Sequence, residues 1–80
     1  MSKYDLLGKY LSVCGKEELT LNMKEIEIII GDKLPYSAYN YSAWWANEVK
    51  SHSHSKSWVN EGYNTREVKP GIGVTFLKVV

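Results

Sequence analysis

An 80-residue chain has room for one hydrophobic core and no second domain, because domains run from about 50 to 250 residues. Its one cysteine, Cys14, excludes an internal disulfide and leaves no Cys-based zinc site, which points to a reducing compartment, the cytoplasm. Ten Lys and Arg against nine Asp and Glu argue against binding polyanions by bulk charge.

The opening segment, Met1 to Leu11, alternates charged with apolar residues. It lacks the continuous apolar stretch of a signal peptide or membrane span, so no membrane partner is expected. Charge is spread unevenly. Met1 to Pro35 holds five Lys and six acids, net −1, whereas Tyr36 to Val80 holds five basic and three acidic residues, net +2. That asymmetry favours an anionic partner on the C-terminal side, weakly.

Leu6, Leu7, Tyr10 and Leu11 are spaced to share one side of a first helix, with Asp5 or Ser2 near its start. Gly15 opens a polar connection, after which Leu19-Thr20-Leu21 alternates as a brief strand. Asn22 sits three residues before Glu25, the arrangement in which a cap side chain and an N3 carboxylate satisfy each other's backbone donors. A second helix therefore starts there, buries Met23, Ile26, Ile29 and Ile30, and closes at Gly31. Pro35 drives the residue before it out of helical geometry but is acceptable in a first turn, so a third helix is expected from about Ser37 to Asn47. Ala38, Tyr41 and Trp45 share its buried face. Ser51 or Ser53 can cap a fourth short helix that carries Trp58 and Val59 inward and ends at Gly62. Tyr63 to Lys69 and Val74 to Val80 read as two strands joined by Pro70-Gly71-Ile72-Gly73.

The expected fold is α+β, one domain over residues 1–80: three to four short helices, a short strand and a C-terminal β-hairpin. Two successive helices joined by a glycine turn, with a helix and strand before them and a hairpin after, follow the order of a winged helix-turn-helix.

Leu34-Pro35-Tyr36-Ser37-Ala38, Ala43-Trp44-Trp45-Ala46-Asn47, His52-Ser53, Trp58 and Gly62 stand in this order. With the opening Leu7-Gly8-Lys9-Tyr10-Leu11, they make the chain resemble a small bacterial, archaeal and phage domain of uncharacterised function. Its signature is Leu-Pro-x-Ser-Ala, Trp-Trp-x-Asn, His-Ser, Trp and Gly. The resemblance covers nearly the whole chain and implies no activity. One departure is that relatives carry basic residues on the third helix where this chain has Tyr39, Asn40 and Ser42.

In a winged helix the third helix enters the major groove. Tyr36, Ser37, Tyr39 and Asn40 near its start would read base edges, with the Asn40 amide best suited to adenine. Lys33, Lys50, Lys56 and the turn at Lys69 would contact phosphates. Trp44 and Trp45 are neighbours about 100° apart on a helix, so both cannot face the core. An exposed Trp44 beside Tyr39 suits either a stacked base or a protein hot spot. With Asn47 and His52 from the signature, the candidate binding set is Lys33, Tyr36, Ser37, Tyr39, Asn40, Trp44, Asn47, Lys50, His52 and Lys56.

His52 and His54, two apart near Glu48, offer too few rigid ligands for a metal, and His52 is better read as capping the fourth helix or bonding a carbonyl. No Ser-His-Asp arrangement, phosphate loop or paired carboxylate is present in the sequence, so no catalytic residue, cofactor or small-molecule substrate is expected. Two readings follow. DNA is the first expected partner; the alternative is a phage or mobile-element factor that inhibits a host protein through exposed aromatics. The charge over the third helix separates them, since a positive face favours nucleic acid and a neutral aromatic face favours a protein.

Overall fold

Leu7 and Leu11 fall one turn apart on the first helix of the chain, and the computed structural model, which describes residues 2–50 and 52–79, buries both. That helix, α1, spans Asp5–Cys14. Asp5 places an anion in the first turn, where the helix dipole favours it, and Gly15 ends the helix in left-handed geometry. The buried stripe is narrower than expected. It runs through Leu7, Gly8 and Leu11 while Leu6 and Tyr10 are exposed. The reason is α4, Lys56–Val59, which packs so closely at Gly8 that a Cβ there would lie 2.2 Å from the Ser57 carbonyl oxygen. This approach turns the Gly8 side of α1 inward and the Leu6 side outward.

Strand β1, Glu18–Asn22, leads directly into α2, Met23–Ile30. The reciprocal cap forms as the spacing requires: Asn22 Oδ1 accepts from the Glu25 amide at 2.7 Å, and Glu25 Oε1 accepts from the Asn22 amide at 2.9 Å. Met23, Ile26 and Ile30 are buried, Ile29 is half-buried against the core, and Gly31 closes the helix at φ 71°. The turn that follows is held from two sides. Glu27 Oε2 accepts the Leu34 amide at 2.8 Å, and Lys3 Nζ donates to Asp32 Oδ2 at 3.0 Å and to the Lys33 carbonyl at 3.2 Å.

The third helix departs most from expectation. In place of one helix over 37–47, α3 spans only Tyr36–Asn40; Tyr41 is extended at φ −129°, ψ 121°, and a separate 3-10 turn covers Ser42–Trp45. One hydrogen bond explains the break. The Trp45 indole Nε1 donates to the Ala38 carbonyl at 2.9 Å, although seven residues of straight helix would hold those positions about 10.5 Å apart along the axis. Folding the chain back at Tyr41 lets Ala38 and Trp45 both reach the core. It also throws Tyr41 outward, so this ring is exposed rather than buried with them.

A 3-10 turn, Ser53–Ser55, runs straight into α4, with Trp58 buried and Val59 half-buried as expected. No Ser53 side-chain cap forms, and the residue at the cap position, His52, makes no side-chain cap bond either. The alternative cap, Ser51, lies outside the described residues, as do Met1 and Val80. Strands β2, Tyr63–Lys69, and β3, Gly73–Lys78, pair antiparallel, and β3 also pairs with β1, giving the order β1-β3-β2. Val68 faces Val74 and Thr65 faces Phe76, with a bulge of Arg66 and Glu67 between. Gly73, expected in the turn, is already in the strand opposite Asn22. The protein is thus mixed helix and antiparallel sheet. Leu21, Tyr63, Val74 and Phe76 meet Leu7, Leu11, Ile26, Trp45 and Trp58 in one core, while Glu18, Thr20, Glu67, Lys69 and Thr75 line a shallow recess on the other sheet face. Among the described residues, no helix is long and apolar enough to cross a membrane.

Gly8→Ala tests the α1–α4 contact. Helix propensity alone would add about 1 kcal/mol, but the side chain must displace the Ser57 main chain, so the expected result is a loss of about 1–3 kcal/mol. Urea unfolding reads it as a lower midpoint at unchanged slope, and a raised midpoint would show that the two helices part freely.

Candidate functional site

Two clusters divide the candidate residues, and the first is built from the tryptophan-rich segment. Asn47 lies in the loop after the 3-10 turn, where its amide pairs with the main chain of Thr65 as a neighbouring strand would. Oδ1 accepts the Thr65 amide at 2.8 Å, and Nδ2 donates to the Thr65 carbonyl at 3.1 Å. The same Oδ1 accepts the indole Nε1 of buried Trp58 at 2.8 Å. The Thr65 hydroxyl donates to the Trp45 carbonyl at 2.5 Å, and the hydroxyl of buried Ser55 donates to the Ala46 carbonyl at 2.6 Å. Every carbonyl from Trp44 to Ala46 is thereby taken up by a side chain of a later segment. His54 takes up the first, with Nε2 at 2.6 Å from the Trp44 carbonyl oxygen, so in the neutral ring Nε2 carries the proton and Nδ1 is bare. Its ring stacks on Trp44 at 3.7 Å and 8°, and Tyr4 packs edge-on against the same indole.

Trp44 is therefore half-buried between His54, Tyr4 and Trp45 rather than standing free. Asn47 is a latch across the fold. The carbonyl bond expected of His52 is made instead by His54, and the His-Ser pair that serves the fold is His54-Ser55. Sequence reasoning passed over His54, Ser55, Ser57 and Thr65, because a serine-histidine alternation looks like a solvated loop until its carbonyl partners are known. Lys56 lies with Ser2, Tyr4, Asp5, Ser53 and His54 around a recess on the α1 side of this clamp, and Lys50 is exposed in the preceding loop.

The second cluster is the start of α3. Tyr36 is 73% exposed and Tyr41 55%, and their rings meet edge to face at 6.2 Å and 65°. Asn40 is exposed, and Nδ2 donates to the Tyr36 carbonyl at 2.8 Å, which engages one amide proton and leaves the other and Oδ1 open. Ser37 is half-buried beside them. Tyr39 is half-buried against the core, and the nearby Glu27 carboxylate holds its hydroxyl above the ordinary tyrosine range. The β2–β3 turn abuts this helix, since a Cβ on Gly71 would lie 3.4 Å from the Tyr39 carbonyl oxygen. Of the expected set, Tyr36, Ser37 and Asn40 thus sit together, Tyr41 joins them unforeseen, and Lys33 lies beside Asp32 and Glu27. Trp44, Asn47, Lys50, His52 and Lys56 lie elsewhere.

Charge on this surface is sparse. No ionisable acid or base other than tyrosine lies between Lys33 and Glu48. The bond donated by the Leu34 amide, then the nearby Tyr39 hydroxyl, holds the Glu27 carboxyl below its ordinary range, and Lys3 does the same for Asp32. Among the described residues Lys3–Asp32 is the one ion pair, and no three His, Cys, Asp or Glu side chains gather to hold a metal.

Fold and clamp define a small α+β domain whose signature residues tie its loops to a three-stranded sheet. The chain belongs to the family described as "Domain of unknown function (DUF7662)", which matches residues 4–80. No curated protein and no solved structure matches it.

Replacing Asn47 by Ala leaves the Trp58 indole and the Thr65 main chain without partners. The expected loss is about 1–3 kcal/mol in urea unfolding, with Asn47→Asp losing less because it keeps an acceptor. Destabilisation within about 0.5 kcal/mol of zero would remove Asn47 from its place as the latch.

Burial pushes the His54 pKa below its ordinary 6.5, against the opposing pull of the Trp44 carbonyl, and His52 adds to the lowering. A depressed histidine binds protons more readily in the unfolded chain, so its contribution to stability is complete above the unfolded value and falls as pH drops from about 6.5 towards the folded value. Stability should decline as pH falls below about 6.5 in the native chain, above the range where Glu27 and Asp32 titrate, and His54→Gln should flatten that decline. An unchanged slope in the variant would assign the pH dependence elsewhere.

Proposed function

We propose that this chain is a non-enzymatic protein-interaction module whose contact surface is the start of α3 together with the adjoining β2–β3 turn. One observation carries the reading: the most open aromatic rings, Tyr36 at the first residue of α3 and Tyr41 just past its last, meet edge to face along a stretch that carries no charge. Tyrosine is over-represented among interface hot spots, where a rigid ring contributes large area at small entropic cost and charged residues are depleted. Nucleic-acid affinity rests chiefly on phosphates neutralised by Lys and Arg. Lys33 precedes α3 and lies beside Glu27 and Asp32, and Lys69 flanks the β2–β3 turn.

A separate observation favours a nucleic-acid-binding module. The element order, with β1-β3-β2 as the strand order and the hairpin turn against the third helix, is compatible with a winged helix-turn-helix that has further short helical turns inserted before the wing. Against it, five residues of α3 make a recognition helix of little more than one turn.

Fluorescence anisotropy with single- and double-stranded DNA and RNA at about 50 and 200 mM salt separates the two. The expected result is no salt-dependent binding, while affinity capture with the native chain retains a protein that the Tyr36→Ala/Tyr41→Ala double variant does not. Trp44→Ala is the wrong probe, since it opens the clamp. Binding that weakens steeply with salt, and further when Lys33, Lys50 and Lys56 become Gln, would establish the nucleic-acid reading in its place.

A further inference from the structure

The two edges of the sheet are treated differently. In the order β1-β3-β2 both β1 and β2 are edge strands, and an edge presents main-chain N–H and C=O groups that a further strand would bond. On β2 the Thr65 groups that face away from β3 are taken by the Asn47 amide, a bulge follows at Arg66 and Glu67, and Pro70 ends the run. On β1 no such closure occurs. Met23 donates to the Ile72 carbonyl and Lys78 to the Glu17 carbonyl, so the register makes Glu17, Leu19, Leu21 and Met23 the residues whose main chain faces β3. The main-chain groups of Glu18, Thr20 and Asn22 therefore point outward. Glu25 accepts the Asn22 amide, but among the described residues no hydrogen bond from outside the ladder reaches the N–H or C=O of Glu18 or Thr20. Both residues are exposed, and Leu19 between them is half-buried against the core.

Open N–H and C=O groups in strand spacing are complementary to another strand, and the β1 of a second copy fits them in one register. We infer that two copies of the chain pair antiparallel through β1, with the two-fold axis between their Leu19 residues, joining two three-stranded sheets into one. Glu18 of each copy then stands opposite Thr20 of the other, and each such pair exchanges both N–H···O=C bonds, so the open groups of Glu18 and Thr20 are all satisfied. In the next register Glu18 would meet Asn22, whose amide is already spent on Glu25, and the match would be incomplete. Pairing about Leu19 also sets Leu19 against Leu19 on the core side and keeps Glu18 from standing directly opposite Glu18. Charge agrees with this arrangement. The Lys16 end of one β1 meets the Asn22 end of the other, where the Glu25 carboxylate sits 2.9 Å from the Asn22 amide nitrogen, and symmetry repeats the Lys16–Glu25 pairing at both ends. Because Asn47 closes β2, the assembly stops at a dimer instead of growing edge to edge.

Pairing over residues 18–20 buries less than the roughly 1,200 Å² of a stable interface, so association is weak and is read at high concentration. Analytical ultracentrifugation of the full chain from about 10 µM to about 1 mM should show monomer passing to dimer and no larger species. In hydrogen exchange of the ¹⁵N-labelled chain, the Glu18 and Thr20 amides should gain protection as the dimer forms, whereas those of Leu19 and Leu21, bonded within the ladder, are protected throughout. Thr20→Pro removes an outward donor without touching the β1–β3 ladder, and should weaken dimerisation about tenfold or more. Lys16→Glu, an exposed change outside the strand, should weaken it about a few-fold, more so at low salt, and serves even if Thr20→Pro does not fold. Tyr36→Ala/Tyr41→Ala should dimerise as the native chain does. A chain that stays monomeric to about 1 mM overturns the inference and leaves the β1 edge to a strand of another protein. So does a dimer whose Glu18 and Thr20 amides exchange as freely as the monomer's, or one indifferent to both β1-side variants. A dimer lost in Tyr36→Ala/Tyr41→Ala overturns it too, and places self-association at the interaction surface proposed above.

Discussion

The amide of Asn47 is the contact on which the rest of the structure depends. A side-chain amide presents a donor and an acceptor in the same spacing as a peptide group, so it can stand in for a missing strand beside Thr65 while accepting the indole proton of Trp58. These bonds join the loop after the tryptophan pair, the buried face of α4 and the start of the hairpin. In a domain this small, apolar area alone leaves little margin, and a polar network with every member satisfied adds uniqueness to the packing. Among the described residues no fully buried side-chain nitrogen or oxygen lacks a partner, which is the condition under which such a network stabilises rather than strains.

The clamp also separates two uses of aromatic residues. Trp44, Trp45 and Trp58 form a contacting series with His54 and Phe76, stacked at His54–Trp44 and Trp45–Trp58 and edge-on at Trp44–Trp45 and Trp58–Phe76, and serve the core. Tyr36 and Tyr41 lie outside it because the chain must reverse at Tyr41 for the Trp45 indole to reach Ala38. The same hydrogen bond that shortens the helix creates the exposed aromatic corner. The exposed corner and the core are therefore coupled, and a substitution at Trp45 or Ala38 would alter both.

Much of the fold was legible along the chain. The Asn22–Glu25 cap, the apolar period of Met23, Ile26 and Ile30, and the hairpin with Phe76 inside it depend on neighbours a few residues apart, and those neighbours are visible in sequence. The buried side of α1 was legible only in part, because whether Leu6 or Gly8 faces inward depends on where α4 lands. Of the candidate surface, Tyr36, Ser37 and Asn40 were identified from their place at the start of a helix. Tyr41 was assigned to the core, since helical spacing from Ala38 assumes that the helix continues.

By itself the sequence determined a single α+β core, its element order and the residues most of its helices and strands bury, since these follow from periodicity, caps and turn residues acting over short range. Only the tertiary structure decided where the third helix stops, that Asn47 and His54 serve the fold, and that Tyr36 and Tyr41 face outward together. The physical reason is that a buried indole proton or a free carbonyl must find a partner wherever one lies, and here the partners are seven to twenty residues away, from Ala38 and Trp45 to Trp45 and Thr65.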